Sequence, residues 1–139
     1  MIEREISKPD ARNPKQYQMD EVEKSKRYDL EDRTYEFARR VRAFIKLLNK
    51  SLANIEDAKQ VLRASGSVAS NYVEANESLS KKDFLMRIKI CRKEAKESRL
   101  FLRLIDANNN EQSRGQQLAL IQEAQELMNI FGAIVRKCE

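Results

Sequence analysis

The sequence predicts an all-α protein, an up-down-up-down antiparallel four-helix bundle, on the strength of three observations. Only 3 Gly and 2 Pro occur in 139 residues, so strand and turn punctuation is scarce while helix-favouring residues abound. Apolar residues recur at steps of three and four in four successive stretches. The linkers between those stretches run to about 3–8 residues, which makes consecutive helices antiparallel neighbours. A chain of 139 residues makes one domain. At that size it buries roughly two-thirds of its unfolded surface and needs neither disulfide nor metal to be stable.

Residues 1–28 hold both prolines, seven Lys/Arg and six Asp/Glu, with almost no spaced apolar residues. Such a segment cannot bury enough surface to offset its ordering entropy, so it reads as a flexible polar arm ahead of a bundle domain at 29–139. Asp29 with Asp32 resembles a capping pair, and Phe37, Val41, Phe44 and Leu48 then step by four, three and four. Ala38 and Ile45 widen that stripe, which puts the first helix at about Leu30 to Asn49.

Asn54, with Asp57 three positions on, reads as the cap of the second helix after the linker Lys50-Ser51-Leu52-Ala53. Its apolar rows are Ala58, Leu62, Ser65, Ala69, Tyr72 and Val61, Val68, Ala75, ending near Glu77. The middle, Ala64-Ser65-Gly66-Ser67, is unusually small. A mid-helix glycine costs about 1 kcal/mol against alanine, so close approach of a neighbouring backbone is the expected compensation.

Ser80, with Asp83 three positions on, opens the third helix. Its row Phe84, Ile88, Cys91, Ala95, Ser98, Leu102, Ile105 alternates four and three, which predicts a helix over 81–106. Ala107-Asn108-Asn109-Asn110 is a turn, because Asn tolerates left-handed backbone. Asn110 or Ser113 caps the fourth helix, whose row is Leu120, Ala124, Leu127, Phe131, Ile134, Cys138, flanked by Ile121, Met128 and Val135. Ile90, Phe101, Leu118 and Ile121 widen the apolar arcs of the last two helices beyond one core, which points to a homo-oligomer.

The chemistry is bounded by what is missing. With no histidine, the chain has no Ser-His-Asp or Cys-His site, no histidine-ligated zinc and no Glu-x-x-His di-iron site of its own. Two cysteines, Cys91 and Cys138, make neither a Cys₄ zinc site nor a C-x-x-C motif. Both fall on apolar faces and read as packed, reduced thiols, which suits a cytoplasmic compartment. No apolar run approaches the roughly 18–20 residues of a membrane span, and the charged opening residues lack the apolar stretch of a secretory signal. The expectation is a cytoplasmic, non-enzymatic protein with no metal, no cofactor and no membrane role.

The run Arg63-Ala64-Ser65-Gly66-Ser67-Val68-Ala69-Ser70-Asn71-Tyr72-Val73-Glu74-Ala75 resembles a signature of the 23S rRNA intervening-sequence proteins, a four-helix bundle family. There the pattern Arg-Ala-x-x-Ser-[Ile/Val]-x-x-Asn-[Ile/Tyr]-x-Glu-[Gly/Ala] recurs in the second helix. Phe84, Glu97 and the stretch Glu126-Leu127-Met128-Asn129-Ile130-Phe131 are similar to further family positions, and the resemblance covers about residues 28–138. It implies a left-handed four-helix bundle assembling as a ring-like homopentamer, a bacterial origin, and no settled biochemical function.

Charge is unevenly placed. Residues 51–78 carry −2, whereas residues 79–106 carry +5. Arg92, Lys96, Arg99 and Arg103 step by four, three and four and share a face, with Lys82, Lys89 and Arg92 leading into it at the other end and Lys93 counted among the candidate contacts. Such a ridge, about 30 Å long, would follow an RNA or DNA backbone, and copies in a ring would multiply the effect. No base-stacking aromatics interleave with it, so binding would be salt-sensitive and weakly sequence-specific. The other reading is a solvated face, paired with Glu94 and Glu97 or with the acidic second helix of a neighbour. On that reading the chain is a scaffold for a protein partner not identified by the sequence.

Ser67, Asn71, Glu74 and Ser78 form a polar row on the second helix. The row reads either as a ligand or acid–base pair at Asn71 and Glu74, or as a hydrogen-bond network at a helix or subunit contact. Glu97 is its expected counterpart, or else Glu97 pairs with Arg63. Glu74, Glu94, Glu97, Glu123 and Glu126 read as carboxylates on mostly exposed rows among Lys and Arg, which argues against a metal cluster.

Overall fold

Among the described residues four helices follow one another: α1 (Pro14–Ile45), α2 (Leu52–Asn76), α3 (Lys81–Leu104) and α4 (Glu111–Cys138). The structure is a computed structural model that describes residues 14–108 and 110–139, with side chains from Leu30 onward. Each helix packs on the next, and α4 closes against α1, giving the up-down-up-down arrangement. The core is a column of interlocked apolar side chains: Phe37, Val41 and Phe44 from α1, Val61, Val68 and Tyr72 from α2, Ile88, Cys91 and Leu102 from α3, and Leu120, Leu127 and Phe131 from α4. These are the residues on the three-four rows, because only that spacing keeps one face of a helix pointed inward.

Two caps sit where local chemistry puts them. Ser80 Oγ accepts from the Asp83 N–H at 3.1 Å, and Asn110 Oδ1 accepts from the Ser113 N–H at 3.2 Å. Asn110 is thus the cap of α4, while Ser113 is buried inside its first turn. In the turn before it, Asn108 takes φ 60°, the left-handed conformation that Asn tolerates best after Gly.

Several boundaries and contacts differ from the sequence reading. The helix α1 begins at Pro14, so residues 14–28 of the segment read as an arm are helical, and Asp29 lies inside the helix instead of capping it. Proline suits a first helical position, where no N–H is needed. Residues 1–13 of that segment, like Asn109, lie outside the described residues. At its other end α1 stops at Ile45, short of Asn49, as the Leu47 and Leu48 N–H groups close three-residue bonds onto Phe44 and Ile45.

The cap of α2 is Ser51, whose Oγ accepts from the Asn54 N–H at 3.2 Å. Asn54 is instead a buried clamp. Its amide donates to the Asn49 carbonyl at 3.1 Å and to the Asp106 carbonyl at 2.9 Å. Its Oδ1 accepts from the Asp106 N–H at 3.0 Å. One side chain therefore pins the end of α3 to the α1–α2 turn. Gly66 differs too: a Cβ there would meet Arg42 Nη2 at 3.4 Å and no backbone, so no neighbouring helix axis is drawn in at that point. Phe101 and Ile121, expected to face outward, pack against the core, and Ile90 is half-buried; Leu118 is 64% exposed.

Cys91 lies in the core, its Sγ–H directed at the Val68 carbonyl 3.6 Å away. Burial pushes this thiol up to about 12. The folded chain therefore keeps a proton that the unfolded chain gives up near the ordinary thiol pKa. Stability is expected to fall by about 1.4 kcal/mol per pH unit from pH ~9 toward pH ~12 through this group. Urea unfolding of the chain and of Cys91→Ala across that range measures it, and equal slopes for the two would refute it. Cys138, half-buried near the C-terminus, should meanwhile react with a thiol reagent at pH 8 while Cys91 does not.

Candidate nucleic-acid interface

The basic residues of α3 fall on two strips. Buried Ile88, Cys91, Ala95, Ser98 and Leu102 define its inner side. Diametrically opposite lie Lys82, Met86, Lys89, Lys93 and Leu100, an outer strip on which lysines are interspersed with apolar side chains. Met86 and Leu100 are each about half exposed, and Leu104 continues the strip at 58%. Arg92, Arg99 and Arg103 lie to one side of it, toward α4, with Lys96 between the two strips. The sequence reading had merged these strips into one ridge; helical geometry separates a mixed face from an arginine edge.

Of the basic residues named from the sequence, Lys89 is paired, with Glu139 at 3.4 Å. Lys82, Arg92, Lys93, Lys96, Arg99 and Arg103 have no ion-pair or hydrogen-bond partner among the described residues. The carboxylates that would neutralise them are engaged elsewhere. Arg63 on α2 donates to Glu94 at 3.0 Å and to Glu97 at 2.7 Å. Both acids are thus drawn to the α2 side of α3, away from the arginines. Of the two partners left open for Glu97, the structure has Arg63. Chiefly the Glu94 charge raises the Arg63 guanidinium further above its already high pKa.

Glu94 corrects the reading of an exposed acidic row, being only 4% exposed. The signal was available: position 94 lies three after Cys91 and four before Ser98, inside the buried arc.

The polar row on α2 divides likewise. Asn71 Nδ2 donates to the Ser67 carbonyl at 2.9 Å and to Ser67 Oγ at 3.0 Å. Its Oδ1 accepts from Arg87 Nη1 at 2.9 Å, which ties α2 to α3. Glu74 is exposed and joins neither this cluster nor the one around Arg63. The Ser78 hydroxyl bonds back to the Glu74 carbonyl at 3.2 Å.

Glu123 and Glu126 serve α1. Arg33 forms a fork on Glu123 at 2.9 and 2.8 Å and reaches Glu126 at 3.0 Å. The Glu123 hydrogen bonds raise the Arg33 guanidinium above its ordinary value. Among the described residues no group of three or more Cys, Asp or Glu is arranged to hold a metal ion. Nor is any described helix long and apolar enough to cross a membrane.

Fold and surface together define the class: an antiparallel four-helix bundle that presents a basic helix on its outside. A family model described as 23S rRNA-intervening sequence protein matches residues 26–133. The chain belongs to that family. Its fold is similar to a crystal structure of a protein with unknown function from the S23 ribosomal protein family of Bacteroides thetaiotaomicron VPI-5482. The two share 28% identity at a TM-score of 0.66, over 76% of this chain and 97% of the other. No curated protein matches the chain.

Proposed function

We propose that this chain is a non-enzymatic, self-assembling binding module of the cytoplasm whose α3 arginine edge contacts the phosphate backbone of RNA or DNA. One observation carries the reading: Arg92, Lys96, Arg99 and Arg103 have no acidic partner among the described residues, while Glu94 and Glu97 are bound by Arg63 on the α2 side of the helix. At spacings of three and four on α3, the one basic residue in reach of either acid is Lys93, four before Glu97, so the arginine edge has no local carboxylate from Glu94 or Glu97. Phosphate contacts of this kind are sequence-independent and weaken steeply with salt.

The outer strip supports a second reading, a protein-binding scaffold. Met86, Leu100 and Leu104 stand among lysines there, a composition suited to a subunit or partner contact, including the ring-like homopentamer that the family resemblance implies. The two readings divide on one variant. Reversing Arg92, Lys96 and Arg99 to Glu is expected to weaken binding of a mixed-sequence RNA at low salt by at least about tenfold, with oligomeric mass unchanged. A shift in mass by light scattering, together with no RNA binding by the unaltered chain, would favour the scaffold instead.

A further inference from the structure

Gly132 stands on the side of α4 that faces α3, and two guanidinium groups converge over it. A Cβ built there would lie 3.3 Å from Arg136 Nη1 and 3.8 Å from Arg92 Nε. The side chain of Arg136 lies back over the residue four before it, as helical side chains do. Arg92 crosses from α3 to meet it. Neither has an ion-pair or hydrogen-bond partner among the described residues. Two like charges held against one small residue repel each other, and the carboxylate that stands one turn beyond them, Glu139, is engaged by Lys89 at 3.4 Å.

Two turns along the same edge of α3, the Arg99 Nε is buried and has no acceptor. A buried donor left unpaired costs free energy, which an acceptor returns once the guanidinium turns outward to meet it. The acids of α4 do not intrude, since Glu123 and Glu126 are turned to Arg33 on the opposite side. The α3–α4 seam is therefore an edge of donors and positive charge without carboxylates near its centre.

From this we infer that Arg92 and Arg136, meeting over Gly132, form a seat for one phosphoryl group, with Arg99 the next contact along the seam. The inference rests on the backbone-binding reading and extends it to α4, which contributes Arg136. Gly132 has a direct part in it: a Cβ there would stand 3.3 Å from Arg136 Nη1, so a larger residue would push the guanidinium groups out of their place over the glycine.

The test uses the full chain and two probes. With inorganic phosphate at low ionic strength, the Nε–H resonances of Arg92 and Arg136 are expected to shift together and saturate, while that of Arg114 at the other end of α4 stays put. Absence of a joint shift refutes the seat directly, whatever the chain does with RNA. With mixed-sequence RNA, Arg136→Ala is expected to weaken binding roughly tenfold for every sequence and to lower the salt slope by about one. Arg136→Lys, which keeps the charge and loses the fork, should fall between. Arg136→Ala binding RNA as the unaltered chain does, while the Arg92, Lys96, Arg99 reversal abolishes it, overturns the seat and spares the α3 reading. A joint phosphate shift without RNA binding by the unaltered chain overturns the backbone reading and leaves a site for free phosphate.

Discussion

Phe131→Ala is expected to cost about 3–5 kcal/mol of stability, a loss that would lower the melting temperature by roughly 10–20 °C. The ring is fully buried and belongs to the central column of the bundle. It meets Tyr72 of α2 with ring centroids 6.0 Å apart and planes tilted by 42°. Since α2 and α4 lie across the diagonal of the bundle, this pair bridges helices that do not otherwise pack backbone to backbone. Truncation removes the transfer free energy of the ring and leaves a cavity whose walls, Val68 and Leu127 among them, sit on rigid helices that cannot close it. Leu118→Ala, on the same helix but 64% exposed, is the matched control and should move stability by less than about 0.5 kcal/mol. Thermal and urea unfolding of both variants decides the matter. A loss below about 1.5 kcal/mol for Phe131→Ala would mean that the diagonal contact is not part of a closely packed core.

Phe131 also marks what a single sequence discloses. Its place in the core is readable because Leu120, Ala124 and Leu127 precede it at steps of four, three and four, and no other arrangement buries them all. The caps at Ser80 and Asn110 are readable for a similarly local reason: a side-chain oxygen reaches an N–H only three residues on. Ser51, read as part of the linker, caps α2 in place of Asn54, whose side chain is held by Asp106, a partner 52 positions away that leaves no trace in nearby sequence. The start of α1 escaped for the opposite reason. The sequence of residues 14–28 has almost no spaced apolar residues, and apolar spacing reveals only helices that carry an apolar stripe.

The candidate site was legible in its residue types and not in its geometry. Arg92, Lys96, Arg99 and Arg103 announce themselves by spacing, yet spacing alone does not say which way the nearby acids turn. Arg136 belongs to another helix, and pairing it with Arg92 requires the packing register of α3 on α4, which spacing within one helix does not disclose. Exposure of Met86, Leu100 and Leu104 likewise becomes visible only once the inner side of α3 is defined by what covers it.

The register of α3 on α2 is where fold and surface charge meet, and Arg63 tests both. Arg63→Ala is expected to cost about 2 kcal/mol, because it leaves the buried Glu94 carboxylate without its cation. The penalty falls short of the 3–5 kcal/mol typical of a fully buried pair, as Arg63 is itself half exposed and water reaches its side of the contact. Adding Glu94→Leu should recover much of the loss, since the double variant has no stranded charge and the apolar side chain fills a position already enclosed by α2 and α3. Denaturation of the two single variants and the double variant yields the coupling directly, and simple additivity would show that the two side chains do not act as a pair. The same Arg63→Ala chain releases Glu97, which then stands four residues from Lys93 on one helix face and is free to pair with it. Its RNA affinity should accordingly drop, by about twofold, although Arg63 lies on a different helix from the arginine edge. A chain whose stability falls while its RNA affinity is unmoved would separate the two roles and leave Arg63 a purely structural residue.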